Sequence, residues 1–253
     1  MRGYRFVRRL GGVFALAIAL MDSSAAQVPT YSVGATRTGN PFTFLDTRTH
    51  TIQGVMIDLL DAVANDAGFR IGIQPMPFLA LIPALTVKQI DIIAVPMLIT
   101  APRREVIDFS DPVFSYPEGL VVNINDKTAY RSLAELKGQV VGAQAGTIYV
   151  EFLKKNLEPA KVKVYDSLAE VVREVSLGHI KAGMGDARIV RYQLAHDAGL
   201  WARLVPTYEP KLTGSVGIAV RKSDTELLNK INASLAKLRA DGTIDKILAK
   251  WGV

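Results

Sequence analysis

The sequence predicts an α/β fold. Strand-type and helix-type segments alternate along nearly the whole chain, which argues for parallel sheets covered by helices. The alternation falls into two series of similar size, the second starting near residue 127. Beyond an N-terminal leader the chain has 227 residues, enough for one large domain or two small ones with a proper core.

The leader comes first. Arg2, Arg5, Arg8 and Arg9 precede an apolar run over 10–21 and then Ser24-Ala25-Ala26, the pattern of a cleavable secretory signal peptide spanning 1–26. Its apolar core is well short of the roughly 20 residues that cross a bilayer, and no later segment is longer, so a soluble exported protein is expected. The residues after Arg8-Arg9 do not support twin-arginine export. Next come a strand over 31–35, a helix over 55–67 closed by Gly68, and a strand over 70–74. A helical segment with Pro83 inside covers 79–87, a buried-type strand 90–94, and a helix 100–106. In the second series Ser132-x-x-Glu135 and Ser167-x-x-Glu170 read as capping boxes. Between them lie a strand over 139–143, a helix from Thr147 and a strand over 162–165; after them come a helix ending near Gly178, a strand over 180–184 and a helix opening at Asp186. Two helices close the chain. Ser223-x-x-Glu226 caps the first, Leu228, Ile231, Leu235 and Leu238 form its apolar stripe, and Asp241-Gly242 separates it from the second.

Composition narrows the function. The net charge is +6, of which 1–26 carries +3, and the remaining +3 is too mild to argue for nucleic acid. The absence of cysteine excludes a disulfide framework and a lipid-modified N-terminal cysteine. His50, His179 and His196 lie apart without metal spacing, there is no nucleophile motif, and neither metal nor cofactor is expected. A leader without an anchor fits the periplasm of a double-membraned bacterium.

The stretch VPMLITAPRREVIDFSDP, 95–112, places Arg103 and Arg104 in the first turn of a helix capped by Thr100. A cation there opposes the helix dipole at a cost of ~0.3–1 kcal/mol. Asp108, four residues beyond Arg104, offers that arginine an ion pair of ~0.2–0.5 kcal/mol. Arg103 is left as a solvated side chain, a partner of Asp111, or the holder of an anion.

Five segments then resemble one family, in the right order and spacing: NPFTFLD (40–46), GVMIDLLDAVANDAG (54–68), LIPALTVKQIDIIAVPMLITAPRREVIDFSDP (81–112), LAELKGQVVGAQAGT (133–147) and GIAVRKSDTELLNKINASLAKLRADGTIDKILAKWG (217–252). The chain is similar to the bacterial extracellular solute-binding proteins of family 3, periplasmic receptors that mostly deliver amino acids to ABC importers. The resemblance implies a two-lobed type II periplasmic binding protein fold with two crossover hinge strands, near 113–119 and 212–216. Lobe 1 would comprise 27–115 and 216–253, and lobe 2 116–215. The ligand would sit between them. The partner would be an ABC transporter permease, the protein itself acting as a monomer; a sensory subunit is an alternative with the same binding physics.

The resemblance also implies site residues. Thr100-x-x-Arg103 matches the motif whose arginine pairs with the ligand's α-carboxylate, which suits a planar guanidinium fork. Asp186 stands where the family places the acid for the ligand's ammonium, although aspartate is also favoured there as a helix N-cap. The GAQAGT turn brings Thr147 and the Ile148 N–H to the cleft as anion donors. Phe78 is a pocket contact or a core phenylalanine. Leu98 replaces a serine or threonine, Pro96 occupies a neighbouring pocket position, Gly39 replaces an aromatic cover, and Thr36 replaces an aspartate. Each change removes polarity or bulk, favouring an apolar or aromatic amino acid while weakening the case for an amino acid as such. Lys181 replaces an aspartate without explanation. The rival is a cyclohexadienyl dehydratase-like enzyme on the same fold, which needs a general acid in the cleft. Ala187, Arg188 and Ile189 supply none, leaving Glu151 as the only other candidate.

Overall fold

The computed structural model describes residues 27–253; the signal peptide expected over 1–26 lies outside the described residues. Two five-stranded sheets organise the chain. The first has the order Arg70–Pro75, Thr30–Ala35, Ile92–Ile93, Ala219–Arg221, Ile107–Phe109. Its first three strands run parallel, and Ala219–Arg221 runs antiparallel to both neighbours. The second has the order Val162–Tyr165, Val141–Gln144, Ala182–Asp186, Glu118–Asn123, Ala202–Leu204, again with three parallel strands followed by an antiparallel one.

Helices α1 (Val55–Ala67), α2 (Leu81–Thr86) and α3 (Ala101–Val106) belong to the first lobe. Helices α4 (Ile148–Asn156), α5 (Leu168–Ser176) and α6 (Ala187–His196) belong to the second. Helices α7 (Thr225–Ala240) and α8 (Thr243–Lys250) return to the first. The apolar pattern of α1 buries Val55, Met56, Leu59, Leu60 and Val63, and Gly68 ends it in the left-handed region at φ 73°. Polar ties fasten the returning helices: Asp66 of α1 accepts from Ser234 Oγ at 2.6 Å and Lys237 Nζ at 3.0 Å, and Asp58 accepts from Trp251 Nε1 at 2.8 Å.

Two short strands, Phe114–Tyr116 and Gly214–Val216, carry the chain between the lobes and pair antiparallel. The buried Glu118 carboxylate lies just beyond the first of them. It accepts from the Lys211 N–H at 2.6 Å, the Leu212 N–H at 2.8 Å and the Tyr208 hydroxyl at 3.3 Å, so it holds the return segment in place. The resulting architecture is the two-lobed fold with two crossover strands.

Several local expectations change. The strand expected over 90–94 is only Ile92–Ile93, because Ile90 still bonds back to Ala84 O at the end of α2. Asp224, not Ser223, takes the N-cap position of α7, with Ser223 Oγ bonded to the Asp224 carboxylate at 3.1 Å. Leu227 replaces Leu228 in the buried stripe with Ile231, Leu235 and Leu238. Arg104 does not pair with Asp108. Helix α3 stops at Val106, so the two residues are not one helical turn apart; Arg104 lies over the Phe109 ring at 5.9 Å and Asp108 faces Lys222 at 3.7 Å.

Candidate functional site

In open parallel sheets, ligands collect beyond the carboxyl ends of the strands. Here Thr30–Ala35 leads into Thr36, Ile92–Ile93 leads toward Pro96 and Leu98, Val141–Gln144 leads into Gly146 and Thr147, and Ala182–Asp186 ends on Asp186 itself. Both sheets therefore deliver these residues to one gap. Phe78, Pro96, Leu98, Arg103, Thr147, Ile148, Tyr149 and Asp186 line an inner cavity of about 10 Å³. Gly39 lines an adjoining one of about 20 Å³ together with Thr36, Thr38 and Gln144. Each is of the order of the ~10–15 Å³ that a single water needs, far too little for an amino acid. The lobes thus lie close together at this seam, while Thr36, Phe78 and Gln144 also border a wider groove of about 340 Å³ with Asp166 and Ser167.

Arg103 sits at the seam, 8 % exposed. Thr100 Oγ1 accepts from its N–H at 3.4 Å as the N-cap. Since α3 has only six residues, Arg103 and Arg104 also fall in its last turn, and the expected conflict with the helix dipole does not arise. Nη1 donates to Leu98 O at 2.7 Å, and Nη2 crosses to the second lobe to donate to Gly146 O at 3.1 Å. The Phe78 ring lies 5.7 Å from the guanidinium carbon. Arg103 is not paired with Asp111, whose N–H donates to Asn232. Burial lowers the Arg103 pKa, while nearby Tyr116, Asp186 and Tyr149 act to raise it. Of its five N–H donors these two bonds use two, leaving donors for an incoming anion.

Asp186 occupies the N-cap position of α6, yet its side chain makes no cap bond. It accepts instead from the Tyr149 hydroxyl. Burial pushes its pKa up to about 6, against the opposing pull of the Tyr149 and Tyr116 hydroxyls and the Arg103 charge. Such a carboxyl holds its proton more tightly when folded, so its contribution to stability is full below about 3.8 and is lost as pH rises through about 6. Asp186→Asn, which keeps an acceptor for Tyr149, should raise stability at pH 8 by ~1–3 kcal/mol and flatten the stability curve across that window. Denaturant titrations of both proteins at several pH values measure this; parallel curves would refute it.

Other residues prove structural or remote. Thr147 Oγ1 donates to Gln144 O at 2.7 Å, closing its own turn. Gly146, at φ 75°, lies against the other lobe, where an added Cβ would come within 2.9 Å of Leu79 Cα. Lys181 lies at the other end of its strand, paired with Asp126 at 2.8 Å and next to Tyr130, which accounts for a residue the sequence left unexplained. Glu151 is exposed on α4 and pairs with Lys154 at 3.2 Å. His179 meets Glu174 at 3.2 Å and His196 stacks on Tyr192, and among the described residues no acidic and histidine side chains group as a metal site. Sequence reasoning missed Tyr116 and Tyr149. Only Tyr149 carried a signal, as the residue after Ile148 in the first turn of α4.

Comparison with known proteins agrees with this architecture. The ABC transporter arginine-binding protein 1 of Escherichia coli K12 is 29% identical over 240 residues, covering 94% of this chain and 97% of that protein. A solved ancestral arginine-binding protein bound to glutamine has 36% identity and a TM-score of 0.81, covering 88% of this chain and 97% of that one. The ancestral amino acid-binding protein AncCDT-1, described as a precursor of cyclohexadienyl dehydratase, has 31% identity and a TM-score of 0.78, covering 88% and 94%. The family model of the bacterial extracellular solute-binding proteins, family 3, matches residues 31–253, and with these sheets, crossovers and seam the chain belongs to that family.

Proposed function

We propose that the protein captures a small carboxylate-bearing ligand, an amino acid or a related carboxylate with an apolar or aromatic remainder, between two closing lobes, and delivers it to the permease of an ABC importer. The proposed lobes are 27–115 with 216–253, and 116–215; the protein would work as a monomer in the periplasm after loss of 1–26. One observation carries the reading: a buried guanidinium with unused donors at the junction of the two lobes. Phe78, Pro96, Leu98, Thr147, Ile148 and Gly39 would surround the ligand, and Asp186 would meet its second polar group.

The names of the relatives support an amino-acid-like ligand. The apolar remainder is argued from Phe78, Pro96 and Leu98 on the inner lining and from Thr36, whose Oγ1 is bonded to Thr43 Oγ1 at 2.7 Å. The family is one of binding proteins, and the chain is a binding protein rather than an enzyme. The dehydratase reading loses the acid it named, because Glu151 is exposed and pairs with Lys154.

A ligand shifts the balance between open and closed forms only by its differential affinity for them, and bonds to Arg103 on one lobe and Asp186 on the other supply that difference. A thermal-shift screen of amino acids and small apolar and aromatic carboxylic acids tests the proposal, because a molecule that binds only the folded state raises the melting temperature. At least one uncharged-side-chain carboxylate should stabilise the protein at micromolar to millimolar concentration. Stabilisation by arginine or lysine alone would overturn the apolar assignment.

A further inference from the structure

Two tasks compete for the Asp186 carboxyl. As the N-cap residue of α6 it stands where an aspartate ordinarily turns back to accept from the N–H groups of the second and third helical residues, here Arg188 and Ile189. Its side chain makes no such bond and accepts from the Tyr149 hydroxyl instead. Both residues line the inner cavity with Arg103. The bond to Tyr149 thus holds the carboxyl at the cavity wall, against the attraction of a helix N-terminus for negative charge.

The holding group is itself firmly placed. Tyr149 is 2 % exposed and sits in the first turn of α4, just after the strand Val141–Gln144, which lies in parallel register with the strand that ends on Asp186. The contact therefore belongs to the second sheet and needs nothing from the first. Burial, and then the neighbouring Asp186 charge, push the Tyr149 phenol pKa well above its ordinary value, so the hydroxyl stays a donor. No other hydrogen bond to the Asp186 carboxyl occurs among the described residues, and nearby Tyr116 gives its proton to the Pro96 carbonyl at 2.6 Å. Oδ2 is left open to a donor on the ligand.

We propose that Tyr149 is a positioning residue for ligand discrimination: by keeping Asp186 off the α6 cap and at the cavity wall, it makes the cleft select carboxylates with an N–H or O–H donor on the α-carbon over those with none. The inference rests on the reading of Asp186 as partner of the ligand's second polar group. Without the Tyr149 hydroxyl the carboxyl is free to turn onto α6, which offsets the lost bond and takes the acceptor away from the cavity wall.

Isothermal titration of matched pairs at mildly alkaline pH, where Asp186 is ionised, tests this: leucine against 4-methylpentanoate, and phenylalanine against 3-phenylpropanoate. In whichever pair binds, wild type should favour the amino acid by at least about tenfold. Tyr149→Phe should lower that preference about tenfold and leave the donor-free acid within about a factor of two of wild type. Asp186→Ala should lower it similarly, and adding Tyr149→Phe to Asp186→Ala should change nothing further, because the hydroxyl acts through the carboxyl. A merely structural role for Tyr149 would weaken both members of a pair together and persist in the Asp186→Ala background, and that result overturns the inference. So does a Tyr149→Phe protein that keeps the wild-type preference when Asp186→Ala loses it. A wild type with no preference overturns the reading of Asp186 itself, and failure of all four acids to bind overturns the broader reading of the site. Tyr149→Met, which also lacks the hydroxyl, replaces Tyr149→Phe if that variant does not fold.

Discussion

Arg103→Met should reduce affinity for any carboxylate ligand by about 30- to several-thousand-fold, the equivalent of roughly 2–5 kcal/mol for truncating one partner of a buried, hydrogen-bonded charge pair. Methionine keeps most of the aliphatic stem and removes the planar donor fork, so the loss reports charge and directed hydrogen bonds more than volume. Within its own lobe the guanidinium is held by the Leu98 carbonyl beside the Phe78 ring, so it is largely oriented before a ligand arrives and little ordering is left to oppose binding. Arg104→Met is the matched control. That side chain is exposed and rests on Phe109, and its removal should leave affinity within about a factor of two, as for most surface substitutions. Titration of both variants with the best ligand from the screen measures the contrast. Equal affinities in wild type and Arg103→Met would remove the chemical basis of the proposed function.

What the sequence disclosed follows from the range of the interactions involved. Helix α1 was legible at both ends because its apolar period and the glycine that stops it are local, and the same holds for the Thr100 cap and the strand Val162–Tyr165. The fold followed from alternation and motif order. The candidate residues came from matched motifs, and the gap between the two sheets is where the structure gathers them.

Pairings between distant segments were hidden. Tyr149 and Asp186 are 37 residues apart, and they meet because strands Val141–Gln144 and Ala182–Asp186 lie parallel in register and release their chains at the same edge. Lys181 and Asp126 likewise depend on how separate segments are brought together around the second sheet. Local rules misled where an element ended early: an ion pair between Arg104 and Asp108 required a helix that stops at Val106. Asp186 satisfied two readings at once in the sequence. Its position is that of a cap, and only its side-chain direction shows that the carboxyl turns to Tyr149 and away from the helix end.

The buried Glu118 was also beyond sequence reasoning, and its removal should produce the largest loss of stability. Glu118→Ala takes the acceptor away from the Lys211 and Leu212 N–H groups and the Tyr208 hydroxyl, all at the point where the chain prepares to cross back to the first lobe. Breaking a buried charged network on one side costs about 3–5 kcal/mol, because the partners lose their bonds and remain out of water. For a chain of this size each kcal/mol shifts the melting temperature by about 2–4 °C, so a fall of roughly 6–20 °C is expected. Glu118→Gln keeps one carbonyl acceptor but turns an amide NH2 toward the other donors, and should fall between wild type and Glu118→Ala. Burial together with the carboxylate pushes the Tyr208 phenol pKa up, which keeps that hydroxyl a donor throughout the ordinary pH range. Tyr208→Phe should therefore cost far less than Glu118→Ala, since its bond is the longest of the three at 3.3 Å and the two backbone donors stay satisfied. Calorimetric melting of the three variants gives the order directly. A Glu118→Ala protein that melts within a degree or two of wild type would show that water reaches the 208–212 segment and that the carboxylate does not hold the second crossover in place.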